Sequence, residues 1–200
     1  MLKMVDLFSG LGGASQAMVD SPHWEVLRVD NFPLLRDVPH TMLADLTEDF
    51  AFDAHWFNPK VVWASPPCTQ FSTAYSSPSS IARREGEEWG EQIDWSCIEA
   101  AMKWIRYFKP DYWVLENVRG GSRLISQRLG IPPRQIIGQY FLWGNFPYIS
   151  MPRDFEHSKY TDDTWSTDVL RAWKRAKVPY PISHHLRLTL EEQTTLKEWI

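Results

Sequence analysis

Asp6-Leu7-Phe8-Ser9-Gly10-Leu11-Gly12-Gly13 is the stretch on which the fold reading turns. A short apolar run, residues 2–8, leads into it. Alanine-containing polar sequence, residues 14–19, follows it and reads as a helix. A strand, a glycine turn and a helix in that order open a βα unit. Glycines there let the backbone take positive φ and approach a ligand closely. A second strand is expected over residues 24–29, closed by Asp30-Asn31 and the breaker Pro33. Asp30 stands twenty positions after Gly10, where nucleotide-type sites place a carboxylate for ribose hydroxyls. The turn is neither G-x-x-x-x-G-K-[ST] nor a clean G-x-G-x-x-G.

The pattern repeats outward. Residues 60–64 form a third apolar run that stops at Ser65-Pro66-Pro67. Residues 95–108 carry Ile98, Ala101, Met102, Ile105 and Phe108 at helical spacing, and Lys109-Pro110 ends the helix. Residues 112–115 read as a fourth strand. Strands alternating with helices predict an α/β fold with a mostly parallel sheet flanked by helices. Residues 72–92 hold five serines, Arg83-Arg84 and four glutamates, and read as a mobile loop. Residues 139–180 hold ten aromatics. They make either a hydrophobic cap on the sheet or a surface that stacks on nucleic-acid bases.

Composition narrows the options. The chain has 200 residues, 44% of them hydrophobic, and a net charge of −4. One domain of ordinary stability is expected, with room for a small appendage. Bulk charge cannot hold such a chain to nucleic acid, so any such contact needs a local basic patch. Two cysteines, Cys68 and Cys97, are too few for a disulfide framework. The expected compartment is a reducing cytosol, with no signal peptide and no membrane span. No C-x-x-C is present, and no metal is expected.

Three segments carry chemistry. The glycine turn is one. Ala64-Ser65-Pro66-Pro67-Cys68 puts a thiol at the carboxyl end of a strand, where open α/β sheets hold their ligands. Two prolines stiffen the approach, and polar Thr69-Gln70 favour an exposed loop. Cys97, inside the apolar helix, reads as inert packing. Leu115-Glu116-Asn117-Val118 ends another apolar strand with a carboxylate that is costly to bury without a partner. Arg119, Arg123, Arg128 and Arg134 follow closely; they form either a solvated face or a phosphate-binding patch.

With D-L-F-S-G-L-G-G, S-P-P-C and E-N-V in this order, each at a strand end, the sequence resembles the DNA cytosine-C5 methyltransferase family over residues 3–145. It looks like the short versions carried by bacteriophages. The resemblance implies a Rossmann-like methyltransferase fold that uses S-adenosylmethionine and no metal. The catalytic domain would span residues 1–145. Residues 146–200 would form a small aromatic-rich C-terminal region, with a reduced DNA-recognition element and a degenerate final motif. The family turn maps onto Asp6, Phe8, Ser9, Gly10, Leu11, Gly12 and Gly13. Asp30 and Asn31 match the ribose site, Asp45 and Leu46 the adenine site, and Pro67 flanks the cofactor. Cys68 matches the nucleophile that adds to C6 of a flipped cytosine, Glu116 the carboxyl that engages the ring, and Arg134 the arginine of a later motif. Nucleic-acid contacts are expected from Gln70, Ser72, Arg83, Arg84, Asn117, Val118, Arg119, Arg123 and Arg128. The partner implied is DNA, duplex or single-stranded, with a protein partner as one source of specificity.

The chain also departs from the family. Thr69-Gln70 stands where Gln-Gly is usual, and Pro133-Arg134-Gln135 keeps one arginine of the usual pair. Lys177-Val178-Pro179-Tyr180-Pro181-Ile182-Ser183 matches the last motif faintly and lacks its Gly-Asn. Two other readings stay open at this level. One keeps the thiolate chemistry but makes a different modified cytosine or acts on tRNA. The other is a non-catalytic module that binds nucleic acid or the cofactor.

Overall fold

A computed structural model describes residues 1–48, 55–71, 78–86, 93–157 and 167–197, without the side chains of residues 55, 79, 83 and 194–197. Seven strands form one sheet in the order β3-β2-β1-β4-β5-β7-β6. They are β1 (Leu2–Leu7), β2 (Trp24–Asp30), β3 (Thr41–Leu43), β4 (Val61–Ala64), β5 (Tyr112–Val118), β6 (Gln135–Ile137) and β7 (Tyr140–Asn145). Strands β3, β2, β1, β4 and β5 run parallel, while β7 lies antiparallel to both β5 and β6. The expected α/β sheet is present, and the order reverses between β1 and β4. A crevice at the carboxyl ends opens at such a switch point.

Strand alternation sends side chains to two cores. On one face Val5, Leu7, Val62, Ala64 and Leu115 pack under α3 (Ser96–Phe108), through Ile98, Ala101, Trp104, Ile105 and Phe108. Lys109 ends α3 in the left-handed conformation with φ 47°. On the other face Met4, Val61, Trp63, Val114 and Leu142 pack against α1 (Gln16–Val19) and the C-terminal helix α6 (Tyr180–Lys197). From α6 come Ile182, Leu186 and Leu190, all fully buried. The backbone N–H of Ala17 donates to Ser183 Oγ, locking α6 onto α1. Helix α6, beyond residue 145, is thus part of the core beneath the sheet.

The segment 72–92, expected to be a loop throughout, contains helix α2 (Pro78–Glu85). Pro78 fits a first helical position, where its missing N–H costs nothing, and Ala82 is buried beneath it. Residues 72–77 and 87–92 lie outside the described residues. The remaining helices are α4 (Ser122–Leu129) and the short α5 (Arg171–Ala176). Among the described residues no helix is long and apolar enough to cross a membrane.

Candidate active site

The glycine turn leaves β1 with Phe8, Gly10 and Gly12 all at positive φ, 54°, 51° and 67°. Its shape is set from the neighbouring strand. Ser9 N–H donates to Val29 O at 3.1 Å, and Gly12 N–H closes the turn on Ser9 O at 2.8 Å. Asp30 clasps two loops at once. Its Oδ2 accepts from Gly10 N–H at 2.9 Å and its Oδ1 from Phe32 N–H at 3.1 Å. The predicted ribose carboxylate therefore also orders the turn.

Beneath the turn lies a polar cluster that the sequence reading missed. Arg28, in the middle of β2, is 1% exposed. Its Nη2 donates to Gly12 O at 2.9 Å and to Gln16 Oε1 at 3.2 Å. Its Nη1 donates to Pro39 O at 3.0 Å, and its Nε to Ser15 Oγ at 2.9 Å. Ser15 Oγ in turn donates to Asp6 Oδ2 at 2.6 Å. Burial pushes the Asp6 carboxyl up to about 7, and the Ser15 hydroxyl and the Arg28 charge counter it only in part. Burial likewise lowers the Arg28 guanidinium from its usual value. A Cβ at Gly12 would come within 2.2 Å of the guanidinium carbon, so only glycine fits there. A charged residue inside an apolar strand run, Leu27-Arg28-Val29, was the available signal.

Further along the carboxyl edge, Asn31 Nδ2 donates to Asp45 Oδ2 at 3.2 Å. Thr47 donates to Asp45 Oδ1 from its hydroxyl at 2.7 Å and its backbone at 3.0 Å. These bonds hold the Asp45 carboxyl below its usual range. Leu46, its neighbour, is buried, and the indole N–H of Trp104 donates to its carbonyl. Asp30 and Asn31 thus stand at the end of β2, and Asp45 follows β3, a strand the sequence reading did not foresee. Leu11 is half-buried and Gly13 is buried, its Cα side packed against Val178.

Cys68 sits in the loop after β4, half-buried, while Pro67 is exposed. Three contacts fix this loop. Ser65 N–H donates to Leu7 O at 3.0 Å, and Phe71 N–H donates to Cys68 O at 2.9 Å. Asn117 Nδ2 donates to Pro66 O at 3.0 Å. Phe71 is buried against Gly121 and lies 5.5 Å from Trp95. The Asn117 side chain is 1% exposed and turned inward to the cysteine loop. Its other atom, Oδ1, accepts from Val118 N–H at 2.9 Å.

Glu116 precedes Asn117 on β5 and is 7% exposed. Ala64 pairs with Leu115 across β4 and β5, so Glu116 and the cysteine loop leave adjacent strand ends. Glu116 pairs with Leu142 of β7, which pairs with Gln135 of β6. Arg134 enters beside this row, its backbone N–H on Leu142 O at 2.8 Å. Its guanidinium hydrogen-bonds Phe146 O and lies 5.7 Å from the Phe146 ring.

The expected nucleic-acid residues divide. Arg119 and Arg123 are exposed just past β5, and Arg84 is exposed on α2. Val118 and Gln70 are half-buried nearby. Arg128 turns to α3 instead, in an ion pair with Glu99 and 5.5 Å from the Trp95 ring. Ser72 and the Arg83 side chain lie outside the described residues. Cys97 is half-buried in α3, and burial raises its thiol.

No family model matches the chain. It is 29% identical over 120 residues to a probable DNA (cytosine-5)-methyltransferase of Frog virus 3 (isolate Goorha). The match covers 58% of this chain and 53% of that protein, so the chain spans about half the length of the curated relative it matches. Among solved structures, the Entamoeba histolytica methyltransferase EhMeth aligns with a TM-score of 0.47 at 11% identity, over 76% of this chain and 55% of that one. The Dnmt2 methyltransferase of S. pombe aligns with a TM-score of 0.40 at 19% identity, over 64% of this chain and 41% of that one. The resemblance carried by the glycine turn, the cysteine loop and the Glu116 strand end is thus matched by a curated relative: the chain is similar to the DNA (cytosine-5)-methyltransferases.

Proposed function

We propose that the chain transfers a methyl group from S-adenosylmethionine to C5 of cytosine in DNA. The observation that carries this reading is a convergence. The glycine turn with Asp30, the pinned Cys68 loop and the buried Glu116 all leave one edge of the sheet, from β1, β2, β4 and β5.

The turn fits a nucleoside-bearing cofactor. Asp6 Oδ1 and Ser9 Oγ are buried there without a hydrogen-bond partner among the described residues. Ligand hydroxyl or amine groups would satisfy such atoms. Phe8, Ser9, Gly10, Leu11, Gly12 and Gly13 would hold the cofactor with Asp30 at the ribose and Asn31, Asp45 and Leu46 at the adenine. When bound, the cofactor supplies an electrophilic methyl group.

The protein's own groups do the rest. C5 of cytosine is a weak carbon nucleophile. The Cys68 thiolate adds to C6, and the electron pair moves to C5. Glu116 holds the proton shared with N3 and stabilises charge gathering on the ring. C5 takes the methyl, a base removes the C5 proton, and the thiolate leaves as the double bond re-forms. Adducts of this kind need the base outside the stack, so DNA must present it flipped or single-stranded. Asn117 holds the backbone of the cysteine loop through Pro66 O. Arg134 would approach the ring from the β6–β7 side. Arg84, Arg119 and Arg123 supply exposed charge for phosphates, with Gln70 and Val118 beside the cysteine loop. Sequence selectivity would be low, confined to a very short site, or lent by a protein partner.

The test is a nucleoside mass profile of DNA and RNA from cells expressing the wild type or Cys68→Ala. 5-Methylcytosine in DNA, absent with Cys68→Ala, is the expected result. A signal confined to RNA, or a different modified cytosine, would move the substrate. No change in either pool would leave a binding module as the better reading.

A further inference from the structure

Helix α5 (Arg171–Ala176) buries none of its residues, yet one of them reaches the cofactor turn. The Trp173 indole stacks on the Phe32 ring with centroids 4.1 Å apart and planes 15° from parallel. Trp173 Cδ1 also lies 3.3 Å from the position a Cβ on Gly10 would take. Phe32 and Gly10 are the two residues whose backbone N–H groups Asp30 clasps. The indole therefore fills a slot bounded by the glycine turn, the Asp30 loop and an aromatic face. Those are the walls that a flat, fused five- and six-membered base attached to a ribose would seek. At 4.1 Å the stack leaves no room for a second ring between Phe32 and Trp173.

Helix α5 leads into the core. Toward the C-terminus it joins Lys177 and Val178, which run against Gly13, and Val178 is buried in the α6 core. Lys174 pairs with Asp168, and Asp168 Oδ1 accepts from Leu170 N–H. The Phe32 stack holds the Trp173 indole against the glycine turn.

We propose that Trp173 is a built-in plug of the cofactor site, whose indole must leave Phe32 before an adenine base can enter. This rests on the reading of the glycine turn as an adenosine site. The consequence is a lid that opens on binding. The apparent dissociation constant is the intrinsic one divided by the open fraction, so a plug seated about nine-tenths of the time weakens binding about tenfold.

The experiment is calorimetric titration of S-adenosylhomocysteine into the wild-type chain, Trp173→Ala and Trp173→Phe. Trp173→Ala should bind several-fold to tenfold more tightly, with Trp173→Phe between. A second readout is hydrogen exchange of the 171–176 amides, which should quicken when the wild type is saturated. Equal or weaker binding by Trp173→Ala, or slowed exchange, overturns the plug and makes Trp173 a wall of the site. That result leaves the methyltransferase reading standing. If neither the wild type nor any variant binds the ligand, both the plug and the adenosine site fail.

Discussion

Asp6 is fully buried beneath the glycine turn, with one oxygen on Ser15 and the other without a partner among the described residues. Its pKa is raised from 3.8 to about 7 by burial. The sign of the consequence follows from proton counting. Between pH 4 and pH 7 the folded chain keeps a proton that the unfolded chain has lost. Stability contributed by the protonated form is therefore complete at the acid end, falls as pH rises through this window, and levels off above it. A shift of this size corresponds to about 4 kcal/mol as an upper bound. Asp6→Asn keeps the Ser15 acceptor and removes the titration. Urea melts should show the difference between Asp6→Asn and wild type growing in favour of the variant from pH 5 to pH 8; parallel profiles would contradict this account. Asn117 makes a different prediction. It touches the cysteine loop rather than the reacting atoms, so it is a positioning residue. Asn117→Ala leaves Pro66 O without its donor, at a cost of about 1–3 kcal/mol. Displacement of the Cys68 loop should lower kcat about tenfold or more while affinity for S-adenosylhomocysteine stays near wild type. A loss confined to cofactor affinity would place Asn117 elsewhere in the mechanism.

Strand β7 joins the parallel half of the sheet to its edge, and Gly144 shows how tightly. Its φ is 136°, and a Cβ there would come within 2.1 Å of Trp113 O on β5. Gly144→Ala must break the β5–β7 register at that point. We expect a loss of about 3 kcal/mol or more, read as a lowered denaturant midpoint with an unchanged slope. Glu116 sits two residues along the same pairing, so activity should fall with the fold. The same strand marks where sequence reading reached its limit. β1, β2, β4, β5 and α3 were legible because their apolar periods stop at glycine, proline or acidic residues. Those stops also carry the candidate residues Asp30, Cys68 and Glu116, so the candidate site is read from the same positions as the fold. β7 falls within the aromatic-rich stretch 139–180, since Tyr140-Phe141-Leu142-Trp143 is buried on both faces and shows no alternation, while β6 lies just before it, beside the Arg134 motif. The two-residue loop Gly138-Gln139, with Gly138 at φ 58°, was the missed hairpin signal. β3 is three residues long with Met42 and Leu43 exposed, too short for any period. Helix α2 was hidden by its serines. The Phe32–Trp173 stack joins residues far apart in the chain, and no local pattern announces such a contact.

Charge across the whole molecule constrains the proposed binding of DNA. The net charge is −4, so the chain as a whole repels a polyanion. Affinity must come from local cations that face outward near the cysteine loop. Sequence alone offered six arginines for that role, and the structure reduces the number. Arg128 is paired with Glu99 on the α3 side, and Arg134 is tied to Phe146 O. Arg119 and Arg123 remain exposed beside the end of β5. Each phosphate neutralised on duplex DNA contributes about −0.9 to the slope of log affinity against log salt. These two contacts alone, among the described arginines, predict a contribution of about −2 to the slope. The double substitution Arg119→Ala, Arg123→Ala should make the slope shallower by about 2 and weaken binding to all sequences alike. Affinity for S-adenosylhomocysteine should not change, since neither side chain reaches the glycine turn. Filter binding across a salt series measures the slope for both proteins. A slope unchanged by the double substitution would mean that DNA lies across another face of the sheet.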